Sequence, residues 1–521
     1  CKEAREKKRN AHLGTVFGIT VEKNSESPNP DDRKFKHRVV FAGDRVRDID
    51  FEAAIFQDLG SAPATMEASK CADAVGLCPG NDAEEADAEQ AYTQALYDGE
   101  ETWVQLPEDQ WSPEWKGMRR PVVKLERALY GHPDAGTLWE KHCDAHCRDV
   151  GFTPVQADTW PSCYYHDKLK IFLVVYVDDF KIAGPRGNLE AAWALLRGDG
   201  PNTTGLKIEE SHAPGRFLGC EHERSEFTLP NGTTARAMTY NIENFLDQCC
   251  VKYLELAKKV TGITPKLQDV ATPSLLEDQA SSPQGCPEQV PKAGQRICPD
   301  CWCMAITTKP GHIACPWCGK EPNTQSIDET IASAIAAAAP TQANRPSGGS
   351  GNAHLAQFKI TKPKKKKAKD PDKTKFDEKQ EPGKYGPIAA RVLMKVLYGA
   401  RLARFDLLRT VCRLARRVTK WDIQCDKELQ RLMSYIHSTR HYRLVSWIGD
   451  DLADLSLHIF ADADFAGCNN TQKSTGGMHL VLRGPTSCFV LNGATKLHGS
   501  QSTSTPEAEI VAAFNLSLIH I

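Results

Sequence analysis

Residues 171–185 read "IFLVVYVDDFKIAGP". An apolar, β-branched and aromatic run starting at Ile171 breaks off in two adjacent carboxylates, Asp178 and Asp179, and a second, shorter apolar run follows. That composition, interrupted once, reads as two buried strands joined by a two-residue turn. Burying the strands fixes both acids at one end of a sheet. Like charges held side by side cost free energy unless a cation or hydrogen bonds compensate. The pair is therefore either a divalent-cation site or a solvated turn, where acidic residues are favoured in any case. A strong two-metal site needs a third acid from elsewhere, and the candidate is Asp87 in "ADAEQAY", where a strand gives way to a turn. Two Mg²⁺ ions about 3.5–4 Å apart can activate an attacking hydroxyl and stabilise a leaving pyrophosphate. Such chemistry is mostly positioning and charge neutralisation.

The rest of the chain sets the frame. Its 521 residues suggest three or four domains at about 150 residues each. Lys and Arg number 65 against 67 Asp and Glu, so the net charge of −2 favours no class of partner and any nucleic-acid affinity must come from local patches. No apolar run approaches the roughly 20 residues of a membrane helix, so no membrane partner is expected. The 19 cysteines, with no signal-peptide pattern, point to thiols or metal ligands in a reducing, intracellular compartment. The chain starts at Cys1 and stops just after a helix begins, so it reads as a fragment at both ends.

Along the chain, 34–43 reads as a strand, 62–75 as a helix, 122–147 as a helix with Leu138 and Trp139 on its apolar face, and 216–240 as strands around the turn signal "PNGT". Residues 241–260 read as an amphipathic helix. From 261 to 383 Pro, Ser, Gln and Lys dominate, as in linkers. Helical patterning returns at 385–438, and a strand pattern, "LSLHIFADADFAG", opens the last unit.

Several segments together resemble the reverse transcriptase of copia-type LTR-retrotransposon Pol polyproteins. "YVDD" between apolar runs is similar to the catalytic hairpin, and "DAEQAY" to the first acidic motif. "KLERALYGHPDAGTLW" resembles the segment whose common form is L-Y-G-L-K-Q-A-P-R-A-W. "KFKHRVV" resembles K-Y-K-A-R-L-V, and "RFLGCE" the F-L-G primer-grip strand. These five lie in the family's order across 34–221. The resemblance implies an RNA-directed DNA polymerase that takes an RNA or DNA template-primer and deoxynucleoside triphosphates. Asp87 and Asp178 would hold both Mg²⁺ ions, with Asp179 in a supporting role. Lys36 and Arg38 would meet the triphosphate, a task suited to cations, and Tyr92 would lie under the sugar unless it is a core aromatic. The chain departs from the pattern at Asp134, where Gln is usual, and at Gly136, where Pro is usual. That departure bears on template and nucleotide support and removes no metal ligand.

"IFADADFAG" followed by "TSTPEAEIVAAF" resembles the family's ribonuclease H. Asp462 would be its first metal-binding acid and Glu509 its second, with Glu507 as the fallback. The remaining acids of that site would lie beyond 521, so no ribonuclease activity is expected. Residues 384–443 carry 14 Lys or Arg against 4 Asp or Glu and resemble the connection segment loosely; they would track a phosphate backbone or form a solvated face.

Cys298 and Cys301 pair with Cys315 and Cys318 as two C-x-x-C knuckles, thirteen residues apart, a spacing suited to one structural Zn²⁺. Cys303 and His312 are spares, and the partner of such a ribbon is open: nucleic acid, protein or none. "KPKKKKAK" is an import signal or a solubilising linker.

The expected architecture is α+β: a right-hand polymerase of fingers, palm and thumb over 1–260, a linker over 261–297 and a zinc ribbon over 298–320. A disordered basic linker (321–384), a basic helical connection (385–454) and a partial ribonuclease H-like α/β unit (455–521) follow. Two alternatives stay open: a decayed, catalytically weak element copy that still binds nucleic acid, and a zinc-ribbon interaction protein on a relic scaffold. The expected location is a cytoplasmic particle, the nucleus, or both, and the oligomeric state is not readable.

Overall fold

In the computed structural model the run at 171–185 folds as a hairpin, β8 (Ile171–Tyr176) and β9 (Asp179–Pro185), joined by Val177 and Asp178. The structure describes residues 10–23, 33–54, 56, 63–198, 205–275, 306–309, 312–314, 381–468 and 471–520. The hairpin lies within a five-stranded antiparallel sheet of order β3-β9-β8-β7-β6, with β3 at Asn81–Asp87, β6 at Thr153–Gln156 and β7 at Trp160–His166.

Both faces of this sheet are covered, and that is why β8 is apolar at every position from 171 to 175. Ile171, Leu173 and Val175 point to one face, where helices α2 (Ala135–Asp149) and α3 (Leu189–Arg197) add Trp139, Cys143, Leu189 and Trp193 to the core. Phe172 and Val174 point to the other, against Ala68 and Ala72 of α1 (Met66–Leu77). Each fully buried Leu, Ile or Phe contributes about 1.5–3 kcal/mol. Thr65 starts α1 by accepting the Ala68 N–H at 3.3 Å. The helix lies close on β3, and Gly76 permits it: a Cβ there would stand 2.6 Å from the Ala83 Cβ.

A second sheet has order β2-β1-β4-β5, with β1 at His12–Lys23, β2 at Lys34–Phe41, β4 at Thr102–Gln105 and β5 at Val122–Lys124. Here the helix expected over 122–147 is corrected. Residues 122–124 pair with β4, and the helix begins only at Ala135, after Gly131 (φ +86°) and Pro133 have broken the chain direction. Strand β1 was not anticipated in the basic, polar N-terminal stretch. Its Phe17, Ile19 and Val21 are exposed and only Val16 is in the core, so pairing rather than burial defines it.

A third sheet runs β10-β11-β12-β15-β18-β17-β16. Its strands are β10 (Arg216–Phe217), β11 (Cys220–Thr228), β12 (Thr234–Asn241), β15 (Leu444–Ile448), β16 (Ser456–Asp464), β17 (Thr475–Arg483) and β18 (Cys488–Leu497). The segment 385–454 is thus not helical throughout: β15 pairs with β12 over five positions, and the sheet runs across the 454/455 boundary drawn from sequence. Helices α4 (Glu243–Thr261), α5 (Gly386–Leu402), α6 (Leu408–Ala415), α7 (Ile423–Thr439) and α8 (Thr505–His520) complete the elements discussed.

By its contacts the chain divides into two compact units: Cys1–Pro273 with Pro387–Thr419 and Leu432–Ile521, and Ser274–Gly386 with Lys420–Arg431. In the second, Asp426 accepts the Lys384 and Tyr385 N–H groups and the Trp421 indole. A short hairpin, β13 (Ile306–Lys309) and β14 (His312–Ala314), lies between the two cysteine pairs; Cys298, Cys301, Cys315 and Cys318 themselves lie outside the described residues. Among the described residues no helix is long and apolar enough to cross a membrane.

Candidate active site

The antiparallel register between β3 and β9 places Asp87 directly opposite Asp179, and the β8–β9 turn carries Asp178 beside them. Three acids, far apart in sequence for Asp87, therefore share one sheet end. The turn is strained: Val177 has φ +61°, a left-handed conformation that costs a β-branched residue on the order of 1–3 kcal/mol. Two contacts hold it. The buried Trp139 indole N–H donates to the Val177 carbonyl at 2.6 Å, and the Ala88 N–H, one residue past Asp87, donates to the Asp178 carbonyl at 2.7 Å. The strand with the first acid and the turn with the second are thereby tied at the backbone.

The acids feel one another. Burial raises the Asp179 carboxyl to about 7, and the charges of Asp178 and Asp87, with a side-chain hydrogen bond to Asp87, push the same way. Such crowding is what a bound cation relieves, and three carboxylates offer the oxygen-only donor set that Mg²⁺ prefers. The donor chemistry of the residues fits that ion.

Among the described residues, however, the metal-capable trio whose donor atoms lie within 4.8 Å of one another is a different one, Asp73, Glu85 and His222. A cation already stands there. The Lys181 ammonium lies 2.8 Å from Asp73 Oδ1 and 3.0 Å from Glu85 Oε1, fully buried. Burial opposes ionisation of Glu85, but the His222 ring and the Lys181 charge outweigh it and hold its carboxyl down at about 2. Sequence reasoning missed this cluster. Its one signal was a lysine between Phe180 and Ile182 in an otherwise apolar strand.

Arg38 and Lys36 are exposed on one face of β2, two residues apart. The Arg38 guanidinium lies 5.7 Å from the Tyr130 ring centre, and that ring packs 4.8 Å from Tyr92. Tyr92 is half-buried. Its hydroxyl is pushed up by burial and further by the charge of Asp178, as is that of Tyr130. Contacts thus run from Arg38 through Tyr130 to Tyr92, and the charge of Asp178 reaches both hydroxyls. Among the described residues Lys36 makes no such contact. Asp134 stands at the N-cap of α2, where a carboxylate complements the helix dipole.

At the other end of the chain, Asp462 is exposed on β16 opposite Gly477. With Asp464, Arg409 and His479 it lines a cavity of about 350 Å³, and Arg409 pairs with Asp464 at 2.6 Å. Glu507 is occupied at the start of α8, where it accepts the Thr503 N–H and hydroxyl. Glu509 is the acid whose charge, with that of Asp464, reaches the buried His498 ring; burial still pushes that imidazole down. A comparison with models of protein families finds none that matches this chain, and a comparison with curated proteins finds no match.

Proposed function

We propose that this chain is an RNA-directed DNA polymerase of retrotransposon type, transferring nucleotides onto a primer 3′-hydroxyl. The observation that carries the reading is Asp87 set opposite Asp179, with Asp178 in the adjoining β8–β9 turn, all at one sheet end. In this reading the five-stranded sheet is the palm, and Asp87 and Asp178, with Asp179, hold two Mg²⁺ ions. When bound, those ions would activate the hydroxyl and neutralise charge on the departing pyrophosphate. Arg38 meets the negative charge of the incoming triphosphate, and Tyr92 and Tyr130 form the floor between that cation and Asp178. The hairpin at 216–221 holds the primer end.

The test is extension of a DNA primer on an RNA template by the full chain, with Mg²⁺ required and Asp178→Asn as control. Extension that disappears in D178N is the expected result. A well-folded wild-type chain that extends no primer refutes the reading.

A further inference from the structure

The cross-strand pair one step from Asp87 and Asp179, on the same face of the sheet, is Glu85 opposite Lys181. This pair reaches across to the 216–221 hairpin and to the segment leading into it. Glu85 Oε2 accepts the Gly215 N–H at 3.2 Å, and the Glu85 backbone exchanges hydrogen bonds with His212 at 2.8 and 2.9 Å. The Lys181 ammonium lies 4.2 Å from the centre of the Phe217 ring. His222 on β11 stacks on Phe217 and stands 3.6 Å from Glu85 Oε1. Asp73 of α1 closes the group, taking Lys181 on one oxygen and the Tyr240 hydroxyl on the other at 2.9 Å.

The hairpin itself is tight. Leu218 (φ +50°) and Gly219 (φ +76°) form its two-residue turn, both in the left-handed region as a type I′ turn requires. The Tyr398 hydroxyl donates to the Leu218 carbonyl at 2.6 Å. Burial pushes that hydroxyl up, and the charges of Tyr176, Cys220 and Asp179 push the same way.

Stability alone is a poor reason for this cluster, since replacing a buried ion pair by apolar side chains of equal volume is often neutral or favourable. What charges add over apolar packing is direction. Each bond here fixes one element against another at defined atoms and angles, as hydrogen-bond geometry requires. We propose that the buried Glu85–Lys181 pair is a positioning element that sets the 216–221 hairpin against the Asp87, Asp178 and Asp179 acids. Its catalytic consequence rests on the polymerase reading: the exposed Arg216 and the turn would present the primer end, and the pair would set where its hydroxyl lies.

The experiment uses the full chain with all three charges neutralised at near-constant volume (D73N/E85Q/K181M), and separately Phe217→Leu, which leaves no charge unpaired should the triple variant misfold. Two readouts are compared with wild type: backbone hydrogen exchange over 212–222, and single-nucleotide incorporation. We expect exchange in that segment to quicken at least tenfold in the triple variant and less in F217L. The incorporation rate at saturating nucleotide should fall at least tenfold in the triple variant, with nucleotide KM within twofold of wild type. Folded variants with wild-type exchange overturn the coupling, and altered exchange with an unchanged rate overturns its catalytic role. An inactive wild type refutes the polymerase reading instead, and exchange alone then decides the coupling.

Discussion

The raised carboxyl of Asp179 makes the stability of the metal-free protein depend on pH in a direction opposite to that of most acids. A carboxyl at about 7 in the folded chain and about 3.9 when unfolded binds its proton more tightly in the folded state. The stability it confers is complete below pH 4 and is lost as pH rises to 7. The full displacement corresponds to about 4 kcal/mol at 1.36 kcal/mol per pH unit. Solvent reaches part of the group, so screening reduces this to about 2 kcal/mol. The assay is melting temperature against pH from 4 to 8, for wild type and Asp179→Asn, with chelator and with Mg²⁺. The difference between wild type and D179N should change by about 2 kcal/mol across that range in chelator, in favour of D179N at high pH. Mg²⁺ should abolish the difference in slope by holding the carboxylate ionised. Parallel profiles for the two proteins in chelator would falsify the account of the site as a crowded acid cluster.

Three further outcomes are expected. Trp139→Phe removes the hydrogen bond to the Val177 carbonyl and part of a buried ring system; it should cost about 2–4 kcal/mol in denaturant unfolding and lower the extension rate with little change in nucleotide KM. Gly76→Ala places a Cβ 2.6 Å from that of Ala83 and should destabilise by about 1–3 kcal/mol, visible as a lower urea midpoint. Arg38→Ala should raise nucleotide KM about tenfold while leaving the rate at saturation nearly intact, whereas an equal fall in both kinetic parameters would place Arg38 at the reacting phosphate.

The sequence by itself determined the hairpin at 171–185. Continuous apolar residues in both strands and a two-residue break are local signals, and they put Asp178 and Asp179 at a sheet end without any knowledge of neighbours. It also nominated Asp87, because the residues around it read as a strand running into a turn. Only the tertiary structure decided that Asp87 faces Asp179, since register between β3 and β9 depends on which residues α1 and α2 bury. The strands β1 and β15 were illegible for a related reason: their pattern is weak, and partners distant in sequence define them. Residues 122–134 misled because apolar spacing over a short stretch fits a helix as well as a strand, and the pairing of β5 with β4 chose between them. The charges of Asp73, Glu85 and Lys181 carried the least information of all. In sequence they are ordinary ionisable residues, and they become a buried cluster only because α1, β3 and β9 bring them within 3 Å of one ammonium. Ion pairing has no periodicity to read, so it is settled where the chain meets itself.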